Sequence, residues 1–199
     1  SSVQQTIDGG YIITGYTTGR DGWAEAWLIK VDSQGEQEWD RIFDGNDGSY
    51  IAYGQFVQQT IDGGYIITGG QYYRGFRGRD IWIIKTDSQG GEEWNRTFGG
   101  GGEDEGSSVQ QTTDGGYIIT GYTGSYGNGL YDAFLLKTDT QGAEEWTQTF
   151  GGSDYEYGNS VQQTTDGGYI ITGTTGDRIA AMDVLLIKTD SQGFSEPFE

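Results

Sequence analysis

Carboxylates are the most reactive side chains that this sequence offers. Its 199 residues include 30 Asp and Glu but no His and no Cys, and the net charge is −19. The commonest general base, the commonest transition-metal ligand and all thiolate chemistry are therefore missing. The acidity also argues against nucleic acid and anionic membrane surfaces as partners, since both require a basic footprint. Any chemistry must rely on carboxylates, hydroxyls, amides and aromatic rings.

Acidic clusters between repeated segments suggest calcium binding as one use of these carboxylates. Ca²⁺ takes about six to eight oxygen ligands, and a charge-dense loop turned by Gly can supply them. No cluster matches the full EF-hand pattern, so solvated charge is the competing interpretation. We expect that no cofactor is required and that calcium is an optional ligand. Its candidate ligands are Asp44, Asn46, Asp47, Glu103, Asp104, Asp154 and Glu156.

Paired carboxylates suggest a second use, which is acid–base chemistry on a glycosidic bond. Two carboxyl groups about 5 to 10 Å apart can perform it without His. However, no acidic group stands out from the repeats described below, whereas catalysis requires an asymmetric site. The sequence therefore predicts a protein that is not an enzyme, with a carbohydrate-active enzyme as the alternative. One acidic residue precedes the third strand of each repeat, where it could brace a turn or bind a ligand: Glu25, Asp80, Asp132 and Asp183.

The elements that position these residues come from a four-fold repeat. Val-Gln-Gln-Thr-x-Asp-Gly-Gly-Tyr-Ile-Ile-Thr-Gly begins at Val3, Val57, Val109 and Val161. A period near fifty residues is typical of repeat architectures such as propellers. The copies fill the chain, so we predict a single domain over residues 1–199. Its repeats cover residues 1–54, 55–106, 107–158 and 159–199, and the last repeat is truncated or degenerate.

Each copy is predicted to form four short strands. In the third copy these are residues 108–112, 117–120, 133–137 and 144–150, and Asp-Gly-Gly forms a hairpin turn between the first two. The third strand is continuously apolar, as in a sheet covered on both faces. No segment shows helical periodicity. The sequence thus predicts an all-β propeller of four four-stranded blades of about 52 residues each, and a β-solenoid is the main competitor.

The repeat also resembles a known group of sequences. Asp-Ser-Gln-Gly followed by Trp, as in residues 87–94, resembles the blade motif of quinoprotein-like propellers. The whole unit is similar to the SVQQTxDGGYIITG…LIKTDSxGxxxWxxxFGG repeats of secreted bacterial and archaeal proteins, which are taken to be β-propellers. The resemblance implies an extracellular or cell-surface location and, for function, little more. The motif supplies no site for a quinone cofactor.

The fourth copy departs from this pattern, because Pro197 stands where the other copies have Trp39, Trp94 and Trp146. Proline lacks the N–H that a central strand needs, so its last strand is at best an edge strand. The sequence favours a compact four-bladed ring, and a segment of a larger ring is the alternative. Ser1, with neither an initiator Met nor a signal peptide, indicates a processed or excerpted segment.

Strand alternation places the constant turns on one side of such a molecule and the variable connections on the other, as in a scaffold that carries binding loops. Aromatic residues there suit sugar or protein recognition. The candidate ligand-binding residues are Trp23, Tyr72, Tyr73, Phe76, Tyr126 and Tyr131. One Gln of each first strand is predicted to line a central channel, although a structural role is the stronger interpretation: Gln4, Gln58, Gln110 and Gln162.

The resulting prediction is a non-catalytic extracellular module for recognition, adhesion or surface assembly. Its expected partner is a glycan or protein on a cell surface, without nucleic acid and without direct membrane insertion, and self-assembly is possible. Two alternatives remain open. One is the carbohydrate-active enzyme with paired carboxylates, and the other is a purely structural component of a surface layer or filament.

Overall fold

The computed structural model describes residues 1–19, 22–44, 50–73, 78–177 and 181–195, with only the backbone of Tyr50 and Tyr73. Within these ranges the chain is all-β, with fifteen strands in four antiparallel sheets and no helix. The sheets follow one another along the chain in a β-propeller-like arrangement. Sheet 1 contacts sheet 2, sheet 2 contacts sheet 3, and sheet 3 contacts sheet 4.

The strands pair in chain order within each sheet, as expected for hairpin-connected neighbours. Sheet 1 contains β1 (Ser2–Gln5), β2 (Tyr11–Thr18), β3 (Ala24–Val31) and β4 (Gln37–Phe43). Sheet 2 contains β5 (Tyr50–Gln59), β6 (Tyr65–Tyr73), β7 (Asp80–Thr86) and β8 (Glu92–Phe98). Sheet 3 contains β9 (Asp104–Gln111), β10 (Tyr117–Thr123), β11 (Asp132–Thr138) and β12 (Glu144–Phe150). Sheet 4 contains β13 (Tyr155–Gln163), β14 (Tyr169–Asp177) and β15 (Ala181–Thr189), and Pro197 lies outside the described residues.

The repeated Asp-Gly-Gly segment forms a tight turn with its own internal bonds. Gly9 has φ of 86°, a conformation that a residue with a side chain rarely adopts. The Asp8 carboxylate accepts hydrogen bonds from the Thr6 hydroxyl at 2.5 Å and from the Gly10 amide at 3.0 Å. These bonds, and then the Lys30 ammonium group, lower the pKa of Asp8 to about 2. The repeated Asp is therefore a turn residue, as its sequence context predicts.

In sheets 1, 2 and 3, a buried lysine connects this turn to the fourth strand of the same sheet. Lys85 Nζ lies 2.8 Å from Asp62 and 2.8 Å from Glu93, and it donates to the Thr86 carbonyl at 2.9 Å. Lys30 and Lys137 make the same three contacts. Because every donor of the ammonium group has an acceptor, the sheet tolerates this charge in its interior.

The core lies between the sheets. β7 and β11 are covered on both faces, whereas β3 alternates buried and half-buried residues because only one side of sheet 1 has a neighbour. At each joint, a Trp of one sheet packs against a Tyr of the next. The pairs are Trp39 with Tyr65, Trp94 with Tyr117 and Trp146 with Tyr169, at ring-centroid distances of 5.8, 5.6 and 5.8 Å.

A small residue in the first strand allows each sheet to approach the preceding one. A β-carbon on Gly54, Gly106 or Gly158 would lie within 3 Å of a threonine hydroxyl oxygen of the preceding sheet. These hydroxyls belong to Thr14, Thr68 and Thr120. The repeated Gly and Thr therefore form a close inter-sheet contact that recurs at all three joints.

Candidate functional site

A row of polar residues crosses each sheet near the variable connections. In sheet 3 it runs from Asp104 through Thr123 to Asp132, since these residues are partners in adjacent strands. In sheet 4, Glu156, Thr175 and Asp183 occupy the same positions. Directly opposite residues share a face of the sheet, so each row brings its side chains together.

Asp80 of sheet 2 and Asp104 of sheet 3 approach each other at Gly99. A β-carbon on Gly99 would lie within 3 Å of both Asp80 Oδ1 and Asp104 Oδ2. The absence of a side chain at this position therefore permits the two carboxylates to come close together. Such proximity fits the short spacing of about 5 to 5.5 Å found in retaining glycosidases.

The two carboxylates have different surroundings. Asp104 is fully buried and accepts hydrogen bonds from the hydroxyls of Thr123 and Ser125 and from the Gly100 amide at 3.0 Å. Asp80 is half-buried, and no donor to it is found within the described part of the chain. Burial, followed by the negative charge of Asp104, raises the pKa of Asp80 above its ordinary value. The pair thus combines a carboxylate held by three donors with one that retains its proton more readily.

Sheet 2 also places an unsatisfied acceptor beside this pair. Gln71 is the strand partner of Asp80 on one side and of Ala52 on the other. Gln71 is buried, its amide nitrogen donates to Thr97 at 2.6 Å, and its Oε1 receives no hydrogen bond from the described residues. In the other sheets, the middle residue of the row is Thr. In sheets 3 and 4, the first-strand partner of this Thr is an acid, Asp104 or Glu156. Ala52 takes the position of that acid, so Gln71 has no acidic partner on the first strand.

A cavity of about 650 Å³ lies between sheets 2 and 3, and Asp104 and Gly99 form part of its wall next to Asp80. Its wall includes Gly99 and Asp104, the hydroxyls of Thr123 and Tyr126, and the carboxylate-bearing residue Glu144. Ile81, Phe98, Phe134 and Leu136 provide apolar surface. A mixed lining of this size suits a small ligand with both hydroxyl groups and apolar ring faces.

The equivalent carboxylate pair at the next joint is enclosed. A β-carbon on Gly151 would lie within 3 Å of both Asp132 and Glu156. Asp132 is buried and accepts a bond from the Gly129 amide at 3.1 Å, while Glu156 accepts bonds from Gly152 at 3.1 Å and Thr175 at 2.9 Å. The first joint has no pair, because Ala52 takes the position of the second acid. Among the described residues, the pair at Gly99 joins a half-buried carboxylate, Asp80, to a buried one, Asp104, that lines a cavity.

A second polar cluster connects the first strands of sheets 2 and 3. Glu105 forms an ion pair with Arg79 and accepts hydrogen bonds from Tyr53 and Tyr122, both at 2.9 Å, and from Gln55 at 2.6 Å. Burial and the charge of Glu105 raise the pKa of both tyrosines. A cavity of about 360 Å³ adjoins this cluster. The carboxylate oxygens of Glu105 already accept hydrogen bonds from protein donors of both sheets. The cluster therefore holds the two sheets together.

The predicted aromatic ligand residues do not form a single site. Tyr126 lines the cavity at Gly99, and its hydroxyl donates to the Gly99 carbonyl at 2.8 Å. Tyr72 lines the cavity beside Glu105, and Trp23 is half-exposed. Tyr131 packs against Tyr122 at a centroid distance of 5.0 Å, in a group of tyrosines. Phe76 and the side chain of Tyr73 lie outside the described residues.

The predicted calcium ligands are also dispersed. Asp104 and Glu156 belong to strands rather than to inter-sheet loops, and protein donors occupy their carboxylates. Glu103 lies 3.7 Å from Arg79 Nε, Asp44 and Asp154 are exposed, and Asn46 and Asp47 are outside the described residues. Within the described residues, no three acidic side chains are grouped as a metal site. Calcium binding stays a prediction.

The glutamines of the first strands link neighbouring sheets. Gln4, Gln58 and Gln110 each accept a hydrogen bond from a first-strand amide of the next sheet, at 2.6, 2.8 and 2.6 Å. The following Gln of that next sheet accepts one in return, at 2.9 Å from the amide of Ile7, Ile61 or Thr113. Gln162, in the last sheet, is exposed. These contacts support the structural interpretation of the Gln pairs.

Comparison with solved structures identifies proteins of similar fold. A thermostable family-43 glycoside hydrolase matches 98% of this chain and 72% of its own, with a TM-score of 0.60 and 14% identity. A putative exo-β-1,3-galactanase from Bifidobacterium bifidum s17 matches 97% of this chain and 68% of its own, with a TM-score of 0.59 and 14% identity. No protein-family model and no curated protein matches the sequence. In the described residues, no helix is long and apolar enough to cross a membrane.

These structures contradict the prediction of a non-catalytic recognition and adhesion module. That prediction treated the fold as a binding scaffold and rested on the lack of an asymmetric acidic group, but proteins with this fold include a glycoside hydrolase. The asymmetry is also present. Ala52 and Gln71 make the row of sheet 2 differ from the others among the described residues, and Asp104 at the Gly99 joint lines a cavity. Sequence reasoning considered Asp80 but missed Gln71, whose signal was the substitution of Thr in the aligned position.

Proposed function

We propose that this protein is a carbohydrate-active enzyme that hydrolyses a glycosidic bond in the cavity between sheets 2 and 3. The observation that carries the proposal is the Asp80–Asp104 pair at Gly99, in which one carboxyl group has a raised pKa and the other is fixed by donors. A raised pKa suits the general acid of glycoside hydrolysis, which must donate a proton to the leaving group. The similar fold of glycoside hydrolases supports the same assignment.

In this proposal, Asp80 donates a proton to the oxygen of the leaving sugar. Asp104, held by Thr123, Ser125 and Gly100, contributes the negative charge that helps to raise the pKa of Asp80. Asp104 also lines the cavity and is the second carboxylate of the reaction: it would attack the anomeric carbon as the leaving sugar departs, and water would then hydrolyse the glycosyl–enzyme bond, as in retaining glycosidases. Tyr126 and Phe134, which line the cavity, would contact the ring faces.

The ligand that we infer is an oligosaccharide, with a cavity volume that suits one or two sugar rings. We also infer that the four sheets are blades of one propeller, and the exposed outward surfaces of sheets 1 and 4 favour a ring with more than four blades. An extracellular location remains a prediction from the repeat resemblance.

The direct test is hydrolysis of a panel of oligosaccharides and aryl glycosides, with product analysis by chromatography. Asp80→Asn should reduce the rate by about 10²- to 10⁴-fold, the usual contribution of a general acid. The matched control is Asp183→Asn, which changes the same position of the repeat in sheet 4, where the Asp is exposed. It should retain full activity.

The pH profile gives a second test. The raised pKa of Asp80 predicts that activity persists to a higher pH than an ordinary Asp would allow and declines as this group loses its proton. Hydrolysis of no substrate in the panel, or full activity of Asp80→Asn with a normal melting temperature, would refute the proposed function.

A further inference from the structure

The two outer sheets expose surfaces that are buried at every internal joint. Sheets 2, 3 and 4 each turn one face, here called the A face, towards the preceding sheet, and its first-strand Val is buried there, as Val57 is at 1% exposure. The corresponding residue of sheet 1 is Val3, which is 62% exposed. Tyr11, the counterpart of the buried Tyr65, is exposed as well. Sheet 1 therefore has an A face without a partner.

Sheet 4 exposes the opposite half of the same joint. Sheets 1, 2 and 3 turn their other face, here called the B face, towards the following sheet, and Leu28, Ile83 and Leu135 are buried on it. The corresponding residue of sheet 4 is Leu186, which is 50% exposed, and its neighbour Val184 is 83% exposed. Apolar side chains thus remain in water at both ends of the row of sheets, at a cost of roughly 25 cal/mol per Å² of apolar surface.

The two open faces are complementary because the repeat makes them so. Every internal joint consists of a B face packed on an A face, and one unpartnered face of each type remains. Two like faces do not meet at any joint between the described sheets. Association through these faces must therefore be head-to-tail rather than between identical surfaces.

The hydrogen-bonding groups of such a joint are also available. At internal joints, a Gln of the B side accepts a hydrogen bond from the first-strand amide of the A side, as Gln110 does from Gln163. Gln162 at the end of sheet 4 and Gln5 at the end of sheet 1 occupy these two positions, and both are exposed. The contact that links sheets within the chain can thus form between chains.

We propose that a second copy of this chain occupies these faces, with sheet 4 of one copy packed on sheet 1 of the other. The joint lacks one component, since the fourth copy of the sequence has Pro197 at the position of the Trp that packs on Tyr65, Tyr117 or Tyr169 elsewhere. Tyr11 consequently gains no Trp partner. The association is therefore weaker than the internal joints and depends on protein concentration.

Sedimentation equilibrium of the whole chain over a wide concentration range tests this proposal. We expect the mass to rise from that of one chain towards that of two or more. Leu186→Glu, which blocks the B face, and Val3→Glu, which blocks the A face, should each weaken self-association at least tenfold. Ile61→Glu is the matched control, because Ile61 is 91% exposed but lies on a turn away from both faces.

Mixing the two blocked variants separates head-to-tail packing from other modes. Each retains one intact face of opposite type, so the mixture should form a complex of two chains, whereas a variant with both substitutions should not join either. A monomer at all concentrations, or association that persists in the doubly substituted variant, would overturn the proposal. Circular dichroism and melting temperatures show whether each variant is folded.

Discussion

The close contact between Thr68 and Gly106 leads to a quantitative prediction for Gly106→Ala. The added methyl group would lie within 3 Å of Thr68 Oγ1 and 3.2 Å from Ile81 Cγ2. Overpacking of this kind costs about 1–3 kcal/mol, and removal of a flexible glycine from the unfolded chain returns about 0.4–1 kcal/mol. We expect a net loss of about 1–2 kcal/mol.

A double-mutant cycle with Thr68→Ala tests whether the clash is the cause. Thr68 Oγ1 makes only a long hydrogen bond, 3.4 Å to the Trp82 carbonyl, so its removal should cost about 1 kcal/mol or less. In the double mutant, the new methyl group occupies the space that the hydroxyl leaves. We therefore expect the double mutant to be more stable than the sum of the single effects by about 1 kcal/mol or more.

Urea unfolding followed by tryptophan fluorescence measures these free energies, and melting temperatures should change by about 2–4 °C per kcal/mol for a chain of this size. Gly101→Ala is the control, because a β-carbon there has no neighbour within 4 Å. An unchanged or increased stability of Gly106→Ala, together with strict additivity in the cycle, would refute the reasoning.

Three further changes test other contacts. Although burial opposes it, bonding to Thr112 and Lys137 lowers the pKa of Asp114 to about 2, so its stabilisation is present above about pH 4 and lost as the pH falls towards 2. Asp114→Asn should reduce the loss of unfolding free energy at low pH, measured by urea titration, by about 1 kcal/mol or less, since the carboxylate is half-exposed. An unaltered pH dependence of stability would contradict this. Trp94→Ala should lower the free energy of unfolding by about 2 kcal/mol in the same assay, because the half-buried ring packs on Tyr117. An unchanged stability would show that this ring contact between sheets is unimportant. Burial raises the pKa of Tyr117 to about 12. Stability should therefore fall above pH 10, because the tyrosine ionises first in the unfolded chain. In an ultraviolet absorbance titration, Tyr117→Phe should remove a phenol that ionises late, and loss of a normally titrating phenol instead would contradict this.

Local pattern was sufficient to predict the strands. The last strand of the third copy was expected at residues 144–150 and lies at Glu144–Phe150, because Gly and Asp-Gly turns delimit it on both sides. The first strand was expected to begin at Ser108 but begins at Asp104. A register shift opposite Gly121 lets the strand continue through Gly106 and Glu105, and such irregularities have no simple periodic signal.

The candidate site depended on contacts that the sequence pattern does not contain. Asp80 and Asp104 belong to different sheets and meet only because Gly99 leaves space between them. Gln71, whose buried Oε1 receives no hydrogen bond from the described residues, lies opposite Ala52 because of the strand register. An alignment of the copies shows that Gln71 replaces Thr and that Ala52 replaces an acid. The consequence of these replacements depends on the strand register and on the packing between sheets, and the alternation of residues within one strand indicates neither the register nor the packing.

The glutamine contacts have a consequence for the behaviour of the chain in concentrated solution. The first strand of each sheet pairs with a strand of that sheet on one side only, and edges of this kind can add strands from other molecules and so begin aggregates. At each internal joint, a side chain of the preceding sheet occupies an amide on this edge, as Gln58 occupies that of Gln111. A foreign strand would have to displace it. The repeated Gln pair thus limits fibre formation in a protein made almost entirely of strands.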